Sequence, residues 1–281
     1  MRKWVLSMAG GLLAAGNVAA ETPQLTVVHE ALEQAGFLVG TVPVGSKVTL
    51  DGKALWVGPK GEVVMGFDRE AKPEAVLKIC DADKACESET LQIEQRTYVT
   101  QNVKGIPPKT VEPNPDEVKL VEADNIATAA ARTVAAKNAD ARFAFMDGFK
   151  KPIDGPTPTS GVFGSRRTYN GQERSWHKGH DFAAKTGTPI QAPADGTVRL
   201  ARRTFMSGNL IMLDHGGGVT TVYAHLSEMG VKVGDEVKEG DVIGKVGTTG
   251  RSSGPHLHWG AYWQNVAIDP ILWVENGSKA H

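Results

Sequence analysis

Three short segments of this chain concentrate side chains able to hold a metal ion and move protons: HKGHDF at residues 177–182, YAHL at 223–226 and GPHLHW at 254–259. Together they hold five histidines and one aspartate. Side chains on a strand repeat every two residues, so His177 and Asp181 share a face, as do His256 and His258, while His180 points away. By the same rule His225 projects with Thr221 and Tyr223. Two imidazoles and a carboxylate with a fourth position left open form the tetrahedral donor set of a catalytic zinc site. Zinc there would bring the pKa of a water to about 7 and polarise a carbonyl oxygen, the two needs of amide hydrolysis. Histidines left uncoordinated would carry protons or steady an oxyanion. Spacing alone leaves open which three bind. An H-x-H pair by itself is weak evidence, whereas H-x-x-x-D, a lone strand histidine and H-x-H occurring together are far more specific.

Such residues need strands to position them, and the second half of the chain supplies a strand-and-turn pattern. Strands are expected at 197–201, 210–213, 220–226, 241–246 and 256–263, with Gly216, Gly217 and Gly218 as a hairpin loop. An earlier β-rich stretch has runs at 37–42, 47–50, 54–57, 63–67, 75–80 and 91–99, with Asp51-Gly52 as a tight turn. Its spacing fits a small antiparallel sandwich. Between the two, Asn114-Pro115-Asp116-Glu117 reads as a helix start, with Asn as cap, Pro at the first helical position and acids in the first turn. The helix is expected to run to about Arg142, laying Leu120, Ala123, Ala127, Ala130 and Val134 against a domain surface. The fold class is therefore mainly β, divided as an export segment 1–20, a β domain 21–108, a helical linker 109–148 and a second β domain 149–281.

Compartment follows from other residues. Positions 1–20 combine Arg2 and Lys3, an apolar run and small residues at Val18 and Ala20, the pattern of a secretory signal peptide. The apolar part is shorter than the roughly 20 residues a membrane span needs, and no later segment reaches that length. The two cysteines, Cys80 and Cys86, flank a turn and are expected to form a disulfide, since no second Cys pair or nearby His completes a zinc site. With 31 Lys+Arg against 32 Asp+Glu the net charge is -1, which gives no general pull toward nucleic acid. Asp214 and His215 read as turn-capping residues, His29 and His281 as isolated surface residues, and Trp259 and Trp263 as packing groups. Arg166, Arg167, Arg202, Arg203 and Arg251 are placed to meet acidic groups of a peptide substrate, or are simply solvated. Asn209 and Tyr223 are weak candidates for orienting a substrate amide. The stretch 231–244 is similar to biotinyl or lipoyl carriers, a likeness read as shared β architecture.

Residues 149–273 resemble the lysostaphin/LytM-type zinc metallopeptidases of bacterial cell-wall metabolism, through FGSRR at 163–167, APADG at 192–196 and GRSSGPHLHW at 250–259. The resemblance implies an antiparallel β peptidase domain holding one Zn2+, with His177, Asp181 and His258 as ligands. His225 and His256 match the pair that activates water or stabilises the transition state. It implies hydrolysis of peptide cross-links in peptidoglycan stem peptides by an exported, periplasmic protein. The order of β module, helix and peptidase also resembles exported relatives, and leaves the amino-terminal domain a binding or regulatory role, including contact with a regulatory protein. Rival readings are a catalytically inactive activator of other wall hydrolases, a carboxypeptidase, and a secreted bacteriolysin.

Overall fold

The computed structural model describes residues 2–3, 24–81, 85–136 and 143–277. Apart from Arg2–Lys3, which pair with Thr26 and Val27, the segment read as a signal peptide lies outside the described residues. The protein is mainly β, and its chain separates into two compact units, 1–95 and 96–281.

The first unit is a sandwich of two antiparallel sheets. One contains Thr26–Ala31, Phe37–Thr41 and Glu62–Gly66; the other contains Lys53–Ala54, Lys47–Leu50, Glu74–Cys80 and Cys86–Gln92. Alternation along Glu74–Cys80 buries Ala75, Leu77 and Ile79 while the residues between them face outward, the signature of a half-covered sheet. These side chains meet Val27, Leu38, Val63 and Met65 of the facing sheet in one core. Asp51 and Gly52 both take positive φ, 48° and 76°, as a two-residue hairpin turn requires. Cys80 and Cys86 lie opposite each other in register and form the expected disulfide. The strand expected over 91–99 ends instead at Gln92. His29, read as a surface residue, is buried on an inward position of Thr26–Ala31, a strand that the sequence reading did not include. His281 lies outside the described residues.

The second unit is built on an eight-stranded antiparallel sheet. From one edge it runs Thr159–Gly161, His180–Ala183, His256–Trp263, Val219–Leu226, Gly208–Asp214, Gly196–Thr204 and Glu236–Val237, with Val266–Ile268 also pairing His256–Trp263. A separate small sheet pairs Thr100–Val103 in parallel with Arg166–Tyr169. Cross-strand partners share a face, and the registers Asp181↔His258 and Ala224↔His258 define one face of the large sheet. The opposite face holds Phe182, Tyr223 and Trp259, all buried. Val219–Leu226 is buried along its whole length, so alternation vanishes there because both faces are covered.

A long helix, Pro115–Ala136, covers part of the first face. Its start is a reciprocal capping box: the Asn114 side chain accepts from the amides of Asp116 and Glu117, and Glu117 accepts from the Asn114 amide. The face it buries differs from the expected stripe. Leu120 and Val134 are exposed, whereas Ala131 and Ala135 are buried, Ala131 against Leu200, Leu210, Met212, Val222 and Ala224. A polar anchor fixes this rotation: Asp124 accepts from the Phe205 amide at 2.7 Å and pairs with Arg202 at 3.0 Å. Residues 137–142, the expected end of the helix, lie outside the described residues. No helix among the described residues is long and apolar enough to cross a membrane.

Candidate metal centre

Three of the sequence-derived candidates converge. His177 Nε2, Asp181 Oδ1 and His258 Nδ1 form a triangle with sides of 2.9 Å, the one cluster of potential metal donors among the described residues. Asp181 and His258 face each other across paired strands, as parity predicts. His177 arrives differently. The strand begins only at His180, and His177 belongs to the preceding loop, held by backbone hydrogen bonds to Gly164 and Ser165. His177 therefore joins the cluster from a loop, not through the strand on which the shared-face argument placed it. His180 points away as expected, its Nε2 2.9 Å from the Thr159 hydroxyl and its ring against Phe182.

The proton inventory of the triangle fits a cation. His177 Nδ1 lies 3.0 Å from the Val162 carbonyl, which can only accept, so Nδ1 carries the hydrogen and Nε2 presents a lone pair. Asp181 Oδ2 is taken by Arg167 at 2.7 Å, leaving Oδ1 for the centre. Burial pushes the Asp181 carboxyl up, but the imidazoles of His177 and His258 beside it outweigh burial and hold the group well below its ordinary value. Burial lowers His258 despite the opposing pull of Asp181. A carboxylate oxygen and two imidazole nitrogens around one point are donors that a borderline-soft divalent ion satisfies.

His225 reaches this centre against strand parity. Regular alternation would place it with Tyr223 on the opposite face, yet its ring lies 4.8 Å from that of His256 and 6.1 Å from that of His258. The cause is a bulge. Between Asn209↔Leu226 and Ile211↔Tyr223 the strand Val219–Leu226 carries one extra residue, and His225 takes a left-handed φ of 64°. Such bulges re-aim a side chain, and here the turned residue is the candidate proton carrier. Its Nδ1 donates to the Thr249 carbonyl at 2.7 Å, and His256 Nδ1 donates to the Gly254 carbonyl at 2.9 Å. Both rings are thereby fixed with Nε2 as the free acceptor. Burial lowers both, His225 to about 3 with further lowering from His256 and His258.

The two weak substrate candidates stand elsewhere. Tyr223 is fully buried on the opposite face, its hydroxyl 2.8 Å from that of Thr221. Asn209 Nδ2 donates to the Leu226 carbonyl at 3.0 Å, so it braces the end of the bulged strand. Asp214 caps the glycine turn by accepting from the Gly216 amide, and His215 ties Asp195 to Thr221 from a buried position. Arg167, named by the sequence only as one of several arginines, proves to be the partner that fixes the Asp181 carboxylate. The signal for it was its place in FGSRR, not its charge.

The centre opens into a cleft of about 740 Å³ whose lining includes His177, His225, His256 and His258, together with Asn125 and Thr128 of the long helix. The sheet forms its floor and the helix one wall.

With this geometry in place, the chain can be compared with known proteins. Residues 175–270 match the profile described as Peptidase family M23. Similar proteins include the DD-carboxypeptidase/endopeptidase Mpg of Neisseria meningitidis serogroup B, 46% identical over 95 residues, or 34% of this chain and 22% of that protein. The peptidoglycan DD-endopeptidase ShyA of Vibrio cholerae is 40% identical over 109 residues, 38% of this chain and 25% of that protein. The matched region thus spans about a quarter of these relatives' length. A solved Pseudomonas aeruginosa structure described as a peptidase M23 is similar over 89% of this chain and 97% of its own, with 27% identity and a TM-score of 0.65.

Proposed function

We propose that the protein is a zinc-dependent endopeptidase that hydrolyses peptide cross-links of peptidoglycan outside the cytoplasm, in the periplasm. The observation that carries this reading is the 2.9 Å triangle of His177, Asp181 and His258 with two carbonyl-anchored histidines beside it. The disulfide supports an oxidising compartment, and the relatives' names support the substrate class.

His177, Asp181 and His258 would hold one zinc ion, which when bound supplies acidification of a water and polarisation of a carbonyl. Arg167 keeps the Asp181 carboxylate ionised and oriented toward the ligand position. One of His225 and His256 would accept the proton of the attacking water at its free Nε2; the other would steady the oxyanion that develops on the scissile carbonyl only once protonated at Nε2. The cleft between sheet and helix holds the stem peptide. The amino-terminal sandwich would bind or regulate, as no group of metal donors occurs among its described residues.

The test is digestion of purified peptidoglycan by the metal-loaded protein, with and without a chelator, followed by mass spectrometry of the products. Chelator-sensitive release of uncross-linked stem peptides is expected. Intact sacculi alongside enhancement of another wall hydrolase would favour an inactive activator. Release of terminal residues alone would favour a carboxypeptidase.

A further inference from the structure

Five arginines were singled out by the sequence, and the structure separates them. Arg166 and Arg203 are exposed, Arg202 pairs with Asp124 and Arg167 pairs with Asp181. Arg251 is unlike the other four. Its guanidinium carbon lies 4.7 Å over the Tyr169 ring, and it lines the cleft together with Ser252, His256 and His258. Among the described residues no carboxylate is within ion-pair distance of it. Burial lowers its pKa, helped by two further cations, Arg174 and Arg167, against the opposing pull of Tyr169, which also hydrogen-bonds the guanidinium. A partly desolvated charge is normally paired or bonded; this one is compensated only by Tyr169, through its ring and a hydrogen bond, and it lies on the cleft wall with further N–H donors to place.

The position is also rigid. The Arg251 amide donates to the Met206 carbonyl at 2.7 Å. Gly250 before it has φ of 73°, and a Cβ there would lie 2.3 Å from the Gly208 amide nitrogen, so the backbone is docked tightly onto the turn 206–208. A guanidinium carries five N–H donors in one plane, so beyond the bond with Tyr169 it keeps donors able to grip a carboxylate through two parallel hydrogen bonds.

We propose that Arg251 is a specificity residue that binds a free carboxylate of the peptide substrate in the cleft, next to the bond presented to His177, Asp181 and His258. The proposal rests on the peptidase reading and adds to it the charge of the group recognised. Substrates with that carboxylate amidated are then poor ones.

The experiment uses two synthetic cross-linked peptides that differ only in a carboxylate or carboxamide beside the scissile amide. The metal-loaded full chain is expected to prefer the carboxylate peptide by roughly ten- to a hundredfold in kcat/KM, the range of a hydrogen bond to a charged group. Arg251→Gln should bring the preference close to one, mainly through KM, while carboxamide cleavage continues; Arg251→Lys should keep part of it. Equal handling of both peptides by the wild type, or an unchanged preference in Arg251→Gln, overturns the proposal. Cleavage of neither peptide overturns the peptidase reading instead. Calorimetric binding of the same pair to the metal-free protein then decides the role of Arg251: tighter carboxylate binding lost in Arg251→Gln supports it, and equal binding ends it.

Discussion

The two β units use the same local rule to different ends. In the amino-terminal sandwich, Glu74–Cys80 alternates outward and inward, and the inward set is purely apolar. In the carboxy-terminal sheet, Val219–Leu226 is buried throughout, and His177, Asp181, His225, Arg167 and His258 are withdrawn from water beside it. Burying such groups costs several kcal/mol each unless they are bonded. The second unit meets that cost with carbonyl anchors on His177 and His225, Asp181 beside His258, and an arginine on the carboxylate. The difference teaches where chemistry is carried: in the sheet that brings buried titratable side chains together at one point.

The strongest way to break this comparison is to remove a ligand. His177→Ala should lower metal content from one equivalent toward none and reduce kcat/KM by at least about a hundredfold, more than is typical of losing a group that merely orients a ligand. The circular dichroism of the sheet should persist, because His177 lies on a loop. Retention of full metal content by a folded His177→Ala protein would remove the triangle from the mechanism.

Next in size is the bulged histidine. His225→Ala should cost roughly 10² to 10⁴ in kcat, the usual range for a general acid or base, with metal content unchanged. An equal loss of metal would reassign His225 as a ligand. Together the two variants separate holding the ion from moving the proton.

Much of this was legible beforehand, and the exceptions have physical causes. Strand positions 47–50 and 256–263 coincide with the observed strands because alternation or aromatic and branched residues mark them. The helix start was readable because Asn114, Pro115 and Glu117 form a local signal. The buried face of that helix was not, because its rotation is decided by Asp124 meeting Arg202 and the Phe205 amide, contacts more than 75 residues away. Likewise the turn of His225 toward the centre depends on a register shift against Gly208–Asp214, which periodicity within one strand does not encode. Tyr223 looked like a site residue for the same reason: sequence proximity to His225 hides the change of face between them.

A third prediction concerns pH and belongs to the carboxy-terminal unit. Burial pushes His215 down to about 4 from an ordinary 6.5. As pH falls from 6.5, the unfolded chain takes up this proton before the folded one does. The stability contribution is therefore complete above pH 6.5 and is lost progressively down to about pH 4, amounting to about 3 kcal/mol. Urea unfolding at several pH values should show a steeper acid loss for the wild type than for His215→Gln. Parallel curves would mean that His215 does not set this slope.

The smallest effect sharpens the comparison from the other side. The Cys80–Cys86 disulfide closes a loop of only a few residues, so chain entropy limits its contribution to about 2 kcal/mol. Replacing both cysteines by serine should weaken the sandwich hairpin Glu74–Cys80 and Cys86–Gln92 by up to that amount. It should leave metal content and peptide cleavage unchanged, because the site is assembled entirely from residues of the second unit. Hydrogen exchange read by mass spectrometry locates the change: faster exchange is expected in the hairpin and unchanged protection in Val219–Leu226 and His256–Trp263. A comparable loss of protection in those two strands would show that the units share one cooperative unfolding event, and the division of labour between them would then hold for chemistry but not for stability.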